Sequence, residues 1–66
     1  MVYLRTFRKI TKRLKKEGWY LHKVEGSHHQ FKHPSKPGKV TVEFHGGNKD
    51  IDIFVVRSIY KQAGWL

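Results

Sequence analysis

Near the start of the chain, "TFRKITKRLKKEG" places Phe7, Ile10 and Leu14 three and four residues apart, with cationic side chains filling the other positions. That spacing puts the three apolar residues on one side of an amphipathic helix. The hydroxyl of Thr6 suits its start, because it accepts from an orphan backbone N–H. Gly18 suits its end, since it enters the left-handed region without a Cβ penalty. The predicted helix therefore runs from about Thr6 to Glu17, with Arg8, Lys9, Lys12, Arg13, Lys15 and Lys16 on its outer surface.

The period then changes. "WYLHKV", "SHHQFKH" and "KVTVEFH" are rich in aromatic and β-branched residues and are separated at Glu25-Gly26 and at "PSKPG", where Pro34, Pro37 and Gly38 interrupt any ladder. Three short strands with short connections predict an antiparallel meander. "GGNKD" reads as a flexible polar turn. "IDIFVVRSIYKQAG" returns to helical spacing with Val56, Ile59, Tyr60 and Ala63 on one side, Asp52 as cap and Gly64 as stop. The order is α-β-β-β-α, an α+β domain spanning 1–66 with a three-stranded antiparallel sheet and two helices packed on one face.

Alternation sorts the strand residues, because neighbours point to opposite faces. In the third strand Val40, Val42 and Phe44 form the core side and Thr41, Glu43 and His45 the other. In the second, Phe31 turns inward and takes His29 and His33 with it, leaving His28, Gln30 and Lys32 opposite. Two helices cover one side of such a sheet, so the other stays wet. The open face is expected to hold His28, Gln30, Lys32, Thr41, Glu43 and His45. The first strand has an aromatic or aliphatic residue on both faces, and alternation alone leaves it unoriented.

Composition narrows the function. Sixty-six residues make a small core, and the absence of cysteine removes disulfides and Cys-based zinc sites. Fourteen Lys+Arg against five Asp+Glu give a net charge of +9, which points to a polyanion, with nucleic acid first. No apolar run is long enough to cross a bilayer and no signal-peptide pattern opens the sequence, so a cytoplasmic protein with no membrane partner is expected.

"GSHHQFKHP", followed by "KVTVEFH" and "RSIYKQAG", resembles the HicA-type toxins, small mRNA interferases of bacterial toxin–antitoxin pairs. The resemblance runs from "LKKEGW" to Gly64. It implies a fold like that of a double-stranded-RNA-binding domain, in agreement with the element order. It also implies RNA, in particular mRNA, as substrate, a bacterial cytoplasmic setting, and a cognate HicB-type antitoxin that covers the active face, with oligomers formed only through that complex. The family's catalytic histidine falls on His28, and its glycine at the start of the strand on Gly26, followed by Ser27. Two departures stand out: Glu43 replaces the proline many members carry after Thr-Val, and "IFVV" from Ile53 to Val56 replaces the usual start of the last helix.

The residue types suit RNA cleavage in their own right. RNA carries its own nucleophile, the 2′-hydroxyl, so the protein need only move protons and stabilise charge, without metal or cofactor. Imidazole titrates near working pH and serves as acid or base. His28 is the expected acid/base, Lys32 the expected phosphate stabiliser and His45 the candidate second proton carrier. Arg8, Lys9, Lys12 and Lys23 are expected on the RNA backbone.

Each choice has a plainer reading. Histidines in strands are commonly structural, and that reading is kept for His22, which alternates with Tyr20 and Val24, and for His29 and His33 beside Phe31. Lys32 could be a solvated strand residue, and Gly26 a turn residue needing positive φ. Among other function classes, a non-catalytic RNA-binding module would not need His28. A metal site from His28, His29, His33 and His45 is disfavoured because adjacent strand residues point apart. A membrane-surface role for the first helix is disfavoured because its narrow apolar stripe is needed by the core.

Overall fold

A computed structural model describes residues 3–66. The elements are α1 (Phe7–Lys16), β1 (Tyr20–Glu25), β2 (His28–Lys32), β3 (Val40–Glu43) and α2 (Ile53–Ala63), in the predicted order. The strands form one antiparallel sheet in the order β1-β2-β3.

Both helices begin and end where local chemistry directs. Thr6 Oγ1 accepts from the Lys9 N–H at 3.3 Å, and Asp52 Oδ1 accepts from the Phe54 N–H at 2.9 Å. At the far ends the chain repeats one device. Gly18 and Gly64 take φ of +96° and +76°, and the tryptophan after each donates its N–H back into the helix: Trp19 to Leu14 O at 2.9 Å and Trp65 to Tyr60 O at 2.8 Å. Each glycine N–H closes the inner turn, Gly18 on Lys15 O and Gly64 on Lys61 O. These are Schellman closures, which satisfy otherwise orphaned carbonyls and bring an apolar residue back onto the helix.

The core forms where the helices meet β2 and β3. Ile10 and Leu14 from α1, Val56, Ile59, Tyr60 and Ala63 from α2, and Trp19, Phe31, Val40 and Val42 make one buried cluster. Each large aliphatic removed from water in this way contributes about 1.5–3 kcal/mol. Phe44, expected with Val40 and Val42, lies beyond the end of β3 and is half exposed; it faces the helix side and meets the Phe7 ring edge-on at 4.8 Å. The strand ends before it, so it borders the core instead of filling it.

The first strand needed the structure to orient it. Leu21 opposes Phe31 and Val24 opposes His29, with the register shifting between Leu21 and Lys23. In a regular strand residues three apart point to opposite faces; the bulge at His22 absorbs the extra residue, so Leu21 and Val24 both turn to the helix side. The expected alternation of His22 with Val24 is therefore overturned, and His22 is exposed on an edge strand. The helices do not cover β1: Leu21 and Val24 stay about half exposed, at 47% and 49%. The "GGNKD" turn is also more tightly held than expected. Arg8 N–H donates to Gly47 O at 3.1 Å, Ile51 N–H donates to Arg5 O at 2.6 Å, and a bridge joins Thr6 to Asp50.

Candidate active site on the open sheet face

A two-residue hairpin carries the candidate histidine. Glu25 pairs with His28, so the loop is Gly26-Ser27. Gly26 has φ +58° and Ser27 a negative φ, the sign pattern of a type II′ turn, whose first position glycine alone fills without strain. The Ser27 carbonyl accepts twice, from Phe44 N–H at 2.7 Å and from His29 Nδ1–H at 3.2 Å. The turn is thereby tied to the end of β3.

Alternation sends the next two imidazoles apart. His29 goes to the helix side and meets the Phe7 ring edge-on at 5.0 Å. His28 goes to the open face, with its side chain 53% exposed. The ladder places His28 directly opposite Glu43, and His28 Nε2 lies 3.1 Å from Glu43 Oε2. The other oxygen of the same carboxylate is hydrogen-bonded to His45 Nε2. Glu43 therefore stands between two imidazoles on the wet face. The hydrogen bond from His45, together with the charges of His45 and His28, holds its carboxyl below the usual carboxylate range, against a smaller opposing effect of desolvation.

In its neutral form, with Nε2–H donating to Glu43, His28 has its Nδ1 lone pair free to accept a proton, and among the described residues that atom makes no hydrogen bond to protein. Such a group can act as an oriented base, and the carboxylate fixes its tautomer. Among the described residues no group of histidine and carboxylate donors is arranged to hold a metal ion.

The third motif histidine has structural work. The Ser35 N–H donates to His33 Nδ1 at 3.1 Å, which leaves Nε2–H to donate to Glu17 O at 2.8 Å. Its ring meets Trp19 edge-on at 5.2 Å.

The other expected site residues divide between the two sides of the sheet. Lys32 lies on the open face four residues along β2 from His28, about 13 Å at the usual strand rise. It borders a shallow groove lined also by His22, Lys23, Glu25, Gln30 and Lys39. Lys23 sits in this groove, 3.7 Å from Glu25. Arg8, Lys9 and Lys12 belong to α1, beyond the other face of the sheet. The Arg8 guanidinium lies 3.7 Å from the point where a Cβ on Gly47 would sit, and Lys9 and Lys12 line a depression with Leu4 and Arg13. The four cations expected on the RNA backbone thus form no single surface, because Lys23 projects from the open face of the sheet and the other three belong to α1 on its opposite side. The link through Glu43 is the feature that sequence reasoning missed. Its signal was present in part, since alternation put Glu43 and His28 on one face; the register that makes them opposite neighbours depends on how β2 and β3 pair.

Among the described residues no helix is long and apolar enough to cross a membrane. No curated protein matches the chain. The family model of the HicA toxin of bacterial toxin–antitoxin systems matches residues 7–65, which takes in every helix and strand. The chain belongs to the HicA toxin family, the toxin half of a bacterial toxin–antitoxin pair.

Proposed function

We propose that this toxin is an endoribonuclease, an mRNA interferase of the bacterial cytoplasm that cuts RNA at the open sheet face through the ribose 2′-hydroxyl. One observation carries the reading: His28 faces solvent with one ring nitrogen held by Glu43 and the other free, and a second imidazole, His45, shares the same carboxylate.

In this mechanism His28 Nδ1 removes the 2′-hydroxyl proton as the oxygen attacks the adjacent phosphorus. The bond from phosphorus to the 5′-oxygen breaks, and protonated His45 supplies the proton to the leaving oxygen. The products are a 2′,3′-cyclic phosphate and a 5′-hydroxyl, and no metal or cofactor enters the proton balance. Lys32, about 13 Å along the strand, serves a neighbouring phosphate instead of the scissile one. Lys23 works on the same face, while Arg8, Lys9 and Lys12 act at longer range by attracting the polyanion. Gly26 and Ser27 hold the hairpin that aims His28. A HicB-type antitoxin neutralises the toxin by covering this face.

The test compares purified wild type with His28→Ala on single-stranded RNA. The variant is expected to lose about 10²- to 10⁴-fold in cleavage rate, the usual worth of positioned acid–base catalysis. Wild type should leave a cyclic phosphate in the presence of EDTA and spare an all-deoxy oligonucleotide. Equal rates for the two proteins, or cleavage abolished by EDTA, would remove the mechanism.

A further inference from the structure

We infer that the far end of the open face is a binding subsite for a single-stranded RNA nucleotide, with Tyr20 stacking on its base and Lys32, Lys39 and Lys23 contacting the flanking phosphates. The inference rests on the ribonuclease reading for its choice of ligand and names the form of RNA that the face accepts.

Tyr20 pairs directly with Lys32, so its ring emerges on the same face as Lys32, Gln30 and His28. It is 49% exposed. Tyr3, Phe7, Trp19, Phe44, Tyr60 and Trp65 each pack against another ring, whereas Tyr20 packs against none among the described residues. Among the described residues no cation occupies its face either: the close cation–ring contacts fall on Tyr60, Trp65 and Trp19. An uncovered aromatic face on a wet sheet is what an unstacked base requires, because every base offers a π-face.

The polar surroundings suit the rest of a nucleotide. Lys39 Nζ donates to Gln30 Oε1 at 3.3 Å, and Gln30 Nε2 donates to Glu25 Oε1 at 3.0 Å, so a polar ladder crosses the groove floor. Lys32 makes no ion pair among the described residues. Lys23 is held only by its exposed contact with Glu25, which is weak enough for a phosphate to displace. Three ammonium groups face one carboxylate in this groove. Lys32 stands on the central strand, where the need to block edge-to-edge pairing does not explain a lysine.

The spacing connects the subsite to the chemistry. About 13 Å separates the Lys32 position from His28 along β2, a gap that an extended strand crosses with a few nucleotides. A base can therefore stack on Tyr20 while a neighbouring phosphodiester reaches the imidazole. Bases inside a duplex are already stacked and cannot use the ring, so the subsite selects single strands.

The test measures binding in a His28→Ala background, where RNA stays intact, by fluorescence anisotropy of a labelled oligoribonucleotide of about ten nucleotides. Tyr20→Ala is expected to weaken single-strand binding about 5- to 150-fold, the range for losing one stacked base. Tyr20→Phe should bind as its parent does, and duplex RNA of the same sequence should bind more weakly and ignore Tyr20. Lys32→Ala with Lys39→Ala should flatten the salt dependence of log K by about 0.7 for each phosphate no longer neutralised. If Tyr20→Ala fails to fold, abasic substitution along the RNA asks the same question from the other side, and one position should lose affinity like the variant. Unchanged binding by Tyr20→Ala, loss by Tyr20→Phe equal to that of Ala, or indifference to every abasic position overturns the subsite. So does an RNA affinity untouched by Tyr20→Ala while antitoxin binding falls, which makes this a protein-docking face. Cleavage persisting in His28→Ala would overturn the mechanism and leave the subsite standing.

Discussion

Replacing Gly18 by alanine tests whether the third motif histidine holds the fold together. A Cβ on Gly18 would lie 2.9 Å from His33 Nε2, closer than real Cβ atoms approach, and φ here is +96°. The ring has little room to retreat. Ser35 N–H binds one nitrogen, Glu17 O accepts from the other at 2.8 Å, and Trp19 packs against its edge. Gly64 is the natural control: its φ is +76° and a Cβ there meets nothing within 4 Å. Alanine in the left-handed region costs about 1–2 kcal/mol, offset by about 0.4–1 kcal/mol because it restricts the unfolded chain. Gly64→Ala should therefore cost about 1 kcal/mol, within a range of roughly 0–1.6 kcal/mol. Gly18→Ala adds loss of the His33–Glu17 hydrogen bond, about 1 kcal/mol, for a total near 2 kcal/mol. In a domain of this size each kilocalorie lowers the melting temperature by roughly 4–8 °C, so circular dichroism melts resolve the two. Adding His33→Ala to Gly18→Ala should remove the excess, with a coupling of about 1 kcal/mol in the double-mutant cycle. Gly18→Ala no more harmful than Gly64→Ala, or an excess that survives His33→Ala, would refute the reasoning.

Two further outcomes concern the carboxylate and the core. The Glu43 pKa is depressed in the folded chain, so the stability it contributes is fully present above the ordinary carboxylate value and is lost as pH falls through the lowered one. Glu43→Gln should melt with a shallower loss of stability through that acid window than wild type, and parallel curves of melting temperature against pH would refute the linkage. Leu14 is fully buried between the helices and the sheet; Leu14→Ala should cost about 2–5 kcal/mol. That is a large part of the roughly 3–10 kcal/mol expected of a domain this long, and a urea midpoint close to that of wild type would refute it.

Element order, both helix caps and the inward faces of β2, β3 and the helices were legible in the sequence. These features arise from local causes: a hydroxyl or carboxylate before a helix, glycine after it, and apolar residues at a period of 3.6 or 2. The separation of His28 from His29 belongs to the same class, because adjacent strand residues diverge wherever the strand lies. Tertiary pairing decided the rest. It set Glu43, whose neighbour two residues on is His45, opposite His28 so that one carboxylate joins both imidazoles, brought His33 under Glu17, and put a bulge at His22 that turns Leu21 and Val24 to one side. It also put Lys23 on the opposite side of the sheet from the cations of α1. Register and bulges follow from which distant strand a segment meets and how the buried side chains fit, and a one-residue slip of β2 would turn its side chains to the opposite faces and part His28 from Glu43.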